Sequence, residues 1–239
     1  MADVAIAAGY ERLRERRETP RSAPVAAAFF DMDRTLLRID SGMAWMRFLR
    51  ERGEMSVAGM ARATYWSALY KLAILDMEAL ADRLARDHEG RSELEMLEKC
   101  RAFFRRHVAR EVAPAALRAI RDHRQQGHLV AILTGSTQFV AEVVADALGI
   151  EHALSSRVEV SKGRFTGRMA SYGFGTHKVE LAERFAGDRA IDLEKSWFYS
   201  DSFNDMPMLE RVGRAVAVNP DARLRRHARR AGWPIEVWR

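Results

Sequence analysis

The sequence has very little cysteine: Cys100 is the only one among 239 residues. A single cysteine cannot form an intrachain disulfide, and it cannot build a cysteine-based metal cluster. The sequence therefore does not describe a small disulfide-held fold, and it fits a reducing compartment. We expect a cytoplasmic protein.

Long apolar runs are also missing. A helix that spans a bilayer needs about 20 consecutive apolar residues, and the run 23–30 is much shorter before Asp31 closes it. Residues 1–24 turn from a short Ala-rich run to a strongly charged one, without the basic start, apolar centre and cleavage site of a secretion signal. We expect no membrane span, and we expect residues 1–24 to form a flexible basic leader.

Charge is unbalanced, with a net charge of +6 and a pI near 9.8. The excess lies in the leader and in the segment 223–230, and neither run interleaves aromatic residues as a single-strand stacking surface does. We interpret these runs as solvated helix faces that give at most a general attraction for anionic substrates. No specific nucleic-acid partner is expected.

The apolar pattern predicts an α/β fold. The continuous apolar run 25–30 is typical of a buried parallel strand. From Pro114 onward, helices and strands alternate, which indicates a Rossmann-like, doubly wound parallel sheet. Asp76 and Ser92 look like helix N-caps, Ser92 with Glu95 as a capping box. The predicted elements between the first two strands are four helices, at 43–52, 56–74, 77–90 and from 92 onward.

These elements divide the chain into predicted units. We expect a core formed by residues 25–40 and 115–239, and an inserted all-helical module over residues 41–114. Aromatic residues of this module could line a pocket, although helical spacing is more often that of core residues: Trp45, Tyr65, Trp66 and Tyr70.

Polar side chains follow several predicted strands. Asp31 and Asp33 come directly after the first strand, where two carboxylates repel each other unless a cation neutralises them. Thr134 and Gly135 follow a second strand predicted over 128–133, and such a turn can present a hydroxyl and backbone N–H groups to an anion. Taken alone, each pattern is equally well an ordinary strand end or turn.

Three further charged residues strengthen the pattern. Lys178 stands at a predicted helix start, where a cation is electrostatically disfavoured. Asp201 ends a predicted strand and Asp205 follows one helical turn later. Four carboxylates at one sheet edge require a hard divalent cation, and oxygen ligands select Mg²⁺. His177 is interpreted as a helix-start or surface residue.

Together and in order, these segments resemble the haloacid dehalogenase superfamily, and the run from Asp201 to Asp221 resembles the branch that includes phosphoserine phosphatase. The resemblance covers residues from Phe29 to the C-terminus and places the helical insertion where the family has a helical cap. It implies that Asp31 is the nucleophile and a metal ligand. It also implies that Asp33 is the general acid–base and a metal ligand through its carbonyl, and that Lys178 neutralises charge.

The resemblance assigns the remaining site residues as well. Thr134 and the Gly135 amide would bind phosphoryl oxygens, and Asn204 would contact the phosphoryl group or the substrate. Asp201 would bind Mg²⁺, and Asp205 would hold the metal's water shell or Lys178. The implied activity is hydrolysis of a phosphomonoester through an aspartyl-phosphate.

The sequence departs from the phosphoserine enzymes at two positions. Arg34 stands where they usually have a small residue, and Asp40 stands where they commonly have the Glu that binds the substrate amine. Asp40 either binds an amine or caps the following helix. The expected substrate is a small phosphorylated metabolite, similar to phosphoserine or histidinol phosphate. The alternatives are a phosphotransferase that acts on an alcohol and a non-catalytic phospho-ligand sensor.

Overall fold

The computed structural model describes residues 25–71 and 76–238. The predicted leader, residues 1–24, lies outside the described residues. Within the described part, the strands are β1 (Ala27–Phe30), β2 (Leu129–Thr137), β3 (His152–Ser161), β4 (Arg164–Ser171), β5 (Trp197–Ser200), β6 (Arg214–Val218) and β7 (Ile235–Glu236). They form one seven-stranded sheet in the order β4-β3-β2-β1-β5-β6-β7.

Most neighbouring strands of this sheet run parallel. Only β3 and β4 pair antiparallel, as a hairpin. The described helices are α1 (Ser41–Glu51), α2 (Val57–Lys71), α3 (Met77–Arg86), α4 (Glu93–Phe103), α5 (Pro114–Gln125), α6 (Gln138–Leu148), α7 (His177–Arg189), α8 (Met206–Arg211) and α9 (Ala222–Ala231). The α/β, doubly wound fold predicted from the sequence is confirmed.

The sheet is buried on both faces, and β1 shows why its sequence is apolar throughout. Phe29 points to the face covered by α7, α8 and α9, whereas Phe30 points to the face covered by α5 and part of α6. Both rings are fully buried. Since successive side chains of a strand point to opposite faces, a strand covered on both sides must be apolar at every position.

Helices α1–α4 are inserted between β1 and α5. Their predicted N-caps are present: Asp76 accepts a hydrogen bond from the Ala79 N–H at 2.9 Å, and the Ser92 hydroxyl accepts one from the Glu95 N–H at 3.3 Å. Phe48 of α1 and Phe103 of α4 join the core cluster that contains Phe30. The division into a core and a cap with the boundaries given above stays a prediction.

Two predicted boundaries are wrong. The strand predicted over 128–133 continues to Thr137, because Thr134 and Thr137 pair with Ser155 and Ser156 of β3 and a bulge between them absorbs the extra residues. Helix α3 ends at Arg86 rather than near residue 90. The chain there turns toward β4, where the Gly90 N–H donates to the Phe165 carbonyl at 2.9 Å.

Some predictions about aromatic residues also need correction. Trp45 packs on Phe103, with ring centroids 5.2 Å apart, as a core residue would. Tyr65 is 62% exposed, so it is not a core residue. Trp66 lies on the wall of a cavity. The side chain of Tyr70 lies outside the described residues. None of the described helices is long and apolar enough to cross a bilayer.

Candidate active site

A cavity of about 530 Å³ opens at the carboxyl ends of β1 and β5 and at the bulged end of β2. Because these three strands are parallel neighbours, the residues that follow them meet at one edge of the sheet. The predicted site residues that line the cavity are Asp31, Asp33, Asp40, Thr134, Gly135, Lys178, Asp201 and Asp205. Asn204 lies in the turn before α8 and is not among the lining residues.

Lys178 holds two of the carboxylates together. Its Nζ donates to Asp31 Oδ1 at 2.6 Å and to Asp205 Oδ2 at 2.7 Å. The lysine is only 2% exposed. Burial alone would lower the pKa of Lys178, but the charges of Asp205 and Asp31 raise it above its ordinary value, so the ammonium stays charged.

The segment before α7 fixes where Lys178 enters the site. Gly173 packs directly on β2: a Cβ at this position would lie 2.3 Å from the Thr134 carbonyl oxygen. Only glycine allows this approach. The Gly173 N–H donates to the Ser156 hydroxyl at 3.0 Å, which in turn donates to the Gly135 carbonyl at 2.9 Å. The start of α7 is therefore joined to the bulged end of β2.

The turn after β1 has an unusual backbone. Arg34 has φ of 56° and ψ of 2°, in the left-handed region that costs a non-glycine residue roughly 1–2 kcal/mol. Its N–H donates to the Ile39 carbonyl at 3.0 Å, and its carbonyl accepts from Asn219 Nδ2 at 2.7 Å. Asp33, one residue earlier, accepts a hydrogen bond from the Ser41 N–H at 2.8 Å. The turn is thus held from both sides, and it fixes both aspartates.

Three carboxylates of this edge have raised pKa values. Burial, followed by the charges of Asp205 and Asp33, raises the pKa of Asp31 to about 7 against the opposing effect of Lys178. Burial raises the pKa of Asp33 to about 6, and the charge of Asp40 adds to it. For Asp33, burial is the larger of these two causes.

Asp201 has the most strongly raised pKa of the three. Burial raises its pKa to about 8, and the charges of Asp31 and Asp205 add to this effect. Asp201 lines the cavity, and the charges of Arg34 and Lys178 oppose the rise of its pKa. Asp205 accepts from both Lys178 Nζ and the Ser200 hydroxyl, the latter at 2.6 Å.

Thr134 and Gly135 lie at the base of the cavity. Thr134 is 2% exposed, and its Oγ1 accepts a hydrogen bond from the Ser136 N–H at 3.2 Å. A Cβ on Gly135 would lie 3.4 Å from Cβ of Phe174, so the glycine keeps the cavity open beside this ring. The strand bulge brings both residues to the same edge as Asp31.

Asp40 is the helix N-cap of α1. Its Oδ1 accepts from the Met43 N–H at 3.0 Å, and its Oδ2 lies 3.7 Å from Arg34 Nη2. One of the two roles considered for this residue is therefore present, while a contact with a substrate amine stays a prediction. His177 begins α7, as expected, and its Nε2 lies 2.9 Å from Glu78 Oε1.

The sequence did not reveal the residues that hold the site together. Ser200 directly precedes Asp201, and Ser41 and Asn219 are separated from the aspartates in the chain. Their roles come from hydrogen bonds to Asp205, Asp33 and the Arg34 carbonyl. Only the position of Ser200 beside an aspartate at a strand end could have given a signal.

The donor set suits Mg²⁺, although no group of three or more His, Cys, Asp or Glu side chains in the described ranges is arranged as a ready metal site. Lys178 occupies part of the space between Asp31 and Asp205. The fit rests on Asp31 and Asp201: both line the cavity, and each is held at a position where its negative charge is unfavourable. A cation between carboxylate oxygens relieves this cost, and oxygen donors are those that Mg²⁺ prefers.

Comparison with known proteins identifies the family of this chain. A family model described as haloacid dehalogenase-like hydrolase matches residues 28–210. A probable phosphatase of Mycobacterium tuberculosis is 30% identical over 92% of this chain and 80% of its own length. A phosphoserine phosphatase of the same organism is 33% identical over 90% of this chain and 71% of its own length. A histidinol-phosphatase of Neisseria meningitidis is 29% identical over 87% of this chain and 96% of its own length.

Solved structures show the same fold. A protein of unknown function from Bordetella pertussis superposes with a TM-score of 0.81 and 30% identity, covering 90% of this chain and 99% of its own. A structure of a phosphoserine phosphatase with an analogue of its phospho-aspartyl intermediate has a TM-score of 0.65 and 20% identity. The match covers 90% of this chain and 94% of that chain. The fold, the carboxylates at its strand ends and these matches define a hydrolase of the phosphatase type. The chain belongs to the haloacid dehalogenase-like hydrolase family.

Proposed function

We propose that this protein is a Mg²⁺-dependent phosphomonoester hydrolase that forms an aspartyl-phosphate on Asp31. The observation that carries the proposal is the ion-pair bridge in which Lys178 joins Asp31, at 2.6 Å, to Asp205, at 2.7 Å, at the carboxyl end of β1. The bridge holds one oxygen of Asp31 and leaves Oδ2 as the nucleophile. It also supplies a positive charge where a dianionic phosphate would otherwise be repelled.

In the first step, Asp31 Oδ2 attacks the phosphorus atom. The bond between phosphorus and the substrate's alcohol oxygen breaks, and its electron pair stays on that oxygen. Burial raises the pKa of Asp33 to about 6, so its protonated form persists to a higher pH than that of an ordinary carboxyl group, and this form gives its proton to the departing oxygen. The Ser41 N–H and the turn at Arg34 hold Asp33 in position for this transfer.

In the second step, a water molecule attacks the phosphorus of the aspartyl-phosphate. Asp33, now ionised, takes a proton from this water, and the bond between phosphorus and Asp31 breaks to restore the carboxylate. Inorganic phosphate leaves. The proton that Asp33 lost in the first step is thereby returned, so the cycle balances.

Thr134 and Gly135 would bind the phosphoryl oxygens during both steps, and their position in the lining of the cavity that also contains Asp31 supports this role. Asp31, Asp201 and the carbonyl of Asp33 would hold Mg²⁺, which when bound neutralises charge on the transferring phosphoryl group. The bonds of Asp205 to Lys178 and Ser200 support a role in holding the lysine rather than the metal directly. The proposed contact of Asn204 with the phosphoryl group or the substrate has no comparable support.

The substrates of the relatives support a small phosphorylated metabolite, with phosphoserine and histidinol phosphate as the first to test. The test is release of inorganic phosphate from a panel of phosphomonoesters, with no added alcohol acceptor. We expect release with Mg²⁺, none in excess chelator and poor replacement by Ca²⁺, which is larger and more loosely coordinated. Full activity in excess chelator would refute the metal dependence. Consumption of the phosphomonoester only in the presence of an added alcohol, with the phosphoryl group recovered on that alcohol and not as inorganic phosphate, would indicate a phosphotransferase.

A further inference from the structure

The outer part of the cleft has an apolar wall. Asp31, Lys178 and Asp201 line the inner end. Six apolar side chains form the wall: Met43, Met46, Met77, Leu80, Leu84 and Phe174. Trp66 and the charged residues Arg34, Asp40, Asp221 and Arg223 also line the cavity. The cavity of about 530 Å³ lies within the range of roughly 300–1,000 Å³ typical of pockets that enclose organic ligands. A phosphate group alone would leave most of it empty.

Two helices build this wall by their periodicity. On α3, Met77, Leu80 and Leu84 are spaced by three and four residues, so they lie on one face of the helix. Met43 and Met46 on α1 are related in the same way. The stripe on α3 is not part of the protein's core clusters, and Leu84 is 40% exposed. An apolar stripe that faces a cavity beside a phosphate site suits an apolar ligand.

Polar contacts hold α3 over the cleft. The Tyr172 hydroxyl donates to Asp82 Oδ1 at 2.8 Å, and His177 Nε2 lies 2.9 Å from Glu78 Oε1. Glu78 and Asp82 are four residues apart and form a second stripe beside the apolar one. These contacts tie α3 to the segment that leads into α7, so the position of Leu80 and Leu84 is set by the same segment that positions Lys178.

The carboxylates of the outer wall already have partners. Asp40 accepts from the Met43 N–H and lies 3.7 Å from Arg34. Asp221 accepts from the N–H groups of Phe203, Arg223 and Leu224, each at 2.8 Å. A substrate amine would share these carboxylates with the partners that they already have. Arg34 and Arg223, which also line the cavity, would repel the amine. An apolar body is therefore favoured at this end.

Building on the phosphatase function proposed above, we propose that the substrate's alcohol carries an aliphatic body of about four or more carbons, which packs against the stripe formed by Met77, Leu80 and Leu84. This substrate class differs from phosphoserine, whose alcohol is a small zwitterion. The phosphoryl group would lie at Asp31 and the aliphatic body would extend along α3.

The test is a series of straight-chain alkyl phosphates, from ethyl to butyl to hexyl, compared with O-phosphoserine. The leaving alcohols of the series have nearly equal basicity, so differences in kcat/KM report binding of the chain and not the chemistry of the phosphate. We expect kcat/KM to rise about fourfold for each methylene that enters the apolar region. The kcat/KM for hexyl phosphate should be higher than the kcat/KM for O-phosphoserine.

A matched pair of leucines locates the effect. Leu84→Ser should reduce the gain per methylene, because it replaces part of the wall. Leu94→Ser on α4 should keep the full gain, because Leu94 is also a half-exposed leucine, at 49%, but does not line the cavity. Both leucines lie outside the core clusters, so both variants should fold.

The outcomes separate this inference from the function on which it rests. Phosphate release from every substrate with no dependence on chain length, or with O-phosphoserine the best substrate, would overturn the inference and leave the phosphatase intact. An equal loss of the gain in both leucine variants would also overturn it. No phosphate release from any substrate would instead refute the proposed function itself.

Discussion

The inner and outer ends of the cleft are built in different ways. At the inner end, Asp31 is 7% exposed and Lys178 2% exposed, and their contacts join strands, turns and α7 that are distant in the chain. At the outer end, Leu84 is 40% exposed and lies on a helix of the insertion. Charged groups at the inner end are held in fixed places at an electrostatic cost, whereas the outer end presents apolar surface with few polar constraints.

This difference assigns catalysis to the inner end of the cleft and substrate selection to the outer end. Preorganised charge stabilises a transition state, and it needs a rigid, buried frame. Apolar contacts are non-directional and scale with buried area, so they can select a substrate by size and polarity without precise geometry. A substitution at the inner end should therefore change turnover for every substrate. A substitution at the outer end should change the preference among substrates.

The strongest test of the inner end is Asp31→Asn. An amide is a poor nucleophile and cannot form the aspartyl-phosphate, so turnover should fall by more than about 10⁴-fold for every substrate. Phosphate release under saturating substrate measures this loss. Asp122→Asn on α5 is the matched control, since it makes the same change at an exposed aspartate outside the cavity. Wild-type turnover in Asp31→Asn would show that this carboxylate is not the nucleophile.

Asp33→Asn should have a smaller effect, because it removes proton transfer but not the nucleophile. We expect turnover to fall by roughly 10²–10⁴-fold, the contribution typical of a general acid–base. The loss should be smaller for a phenyl phosphate than for an alkyl phosphate, since phenolate leaves without needing a proton. Equal losses for the two substrates would remove the general-acid role from Asp33.

The affinity for Mg²⁺ should depend on pH. The metal binds ionised carboxylates, and the pKa values of Asp31 and Asp201 are raised to about 7 and about 8. Protons therefore compete with the metal more strongly as the pH falls, and because both carboxylates must be ionised, lowering the pH from 8 to 6 should weaken binding by roughly 500-fold. Titration calorimetry measures this without any turnover. Asp201→Asn should bind Mg²⁺ weakly and with less pH dependence, and an affinity that stays constant over this range would contradict the site.

Asp40 lines the cavity and is the N-cap of α1, and we expect its substitution to have the smallest effect. Asp40→Ala should reduce the free energy of unfolding by about 1 kcal/mol through loss of the α1 N-cap, while Asp40→Asn, which can still cap, should lose less. Chemical denaturation measures both. Kinetically, Asp40→Asn should change kcat/KM equally for O-phosphoserine and for ethyl phosphate. A much larger loss for O-phosphoserine would support the amine-binding role.

Much of the fold and the identity of the inner-end residues could be predicted from the sequence. The carboxylates and the hydroxyl stand at strand ends, and parallel topology brings strand ends together, so Asp31, Thr134 and Asp201 could be placed at one edge without coordinates. Lys178 was assigned through resemblance to a family. No spacing rule predicts that its ammonium lies between Asp31 and Asp205.

The remaining features depend on tertiary contacts that a single sequence does not encode locally. Gly135 makes the segment from Thr134 to Thr137 typical of a turn, but pairing with β3 extends β2 to Thr137 through a bulge. Arg34 adopts a left-handed conformation because Asn219, far along the chain, binds its carbonyl. Helical spacing marks the faces of α1 and α3 as apolar. Helical spacing does not show whether such a face packs against a neighbouring helix, as Trp45 does, or lines a cavity, as Leu84 does.

The most direct test of the proposed mechanism is chemical trapping of the phosphoenzyme. Wild-type protein is mixed with substrate and Mg²⁺, quenched in acid during turnover and treated with borohydride, which reduces an acyl phosphate to an alcohol. Peptide mass spectrometry then locates the change. The account predicts homoserine at position 31, dependent on both substrate and Mg²⁺. Reduction at another residue, or no reduced residue in a sample that is turning over substrate, would contradict it.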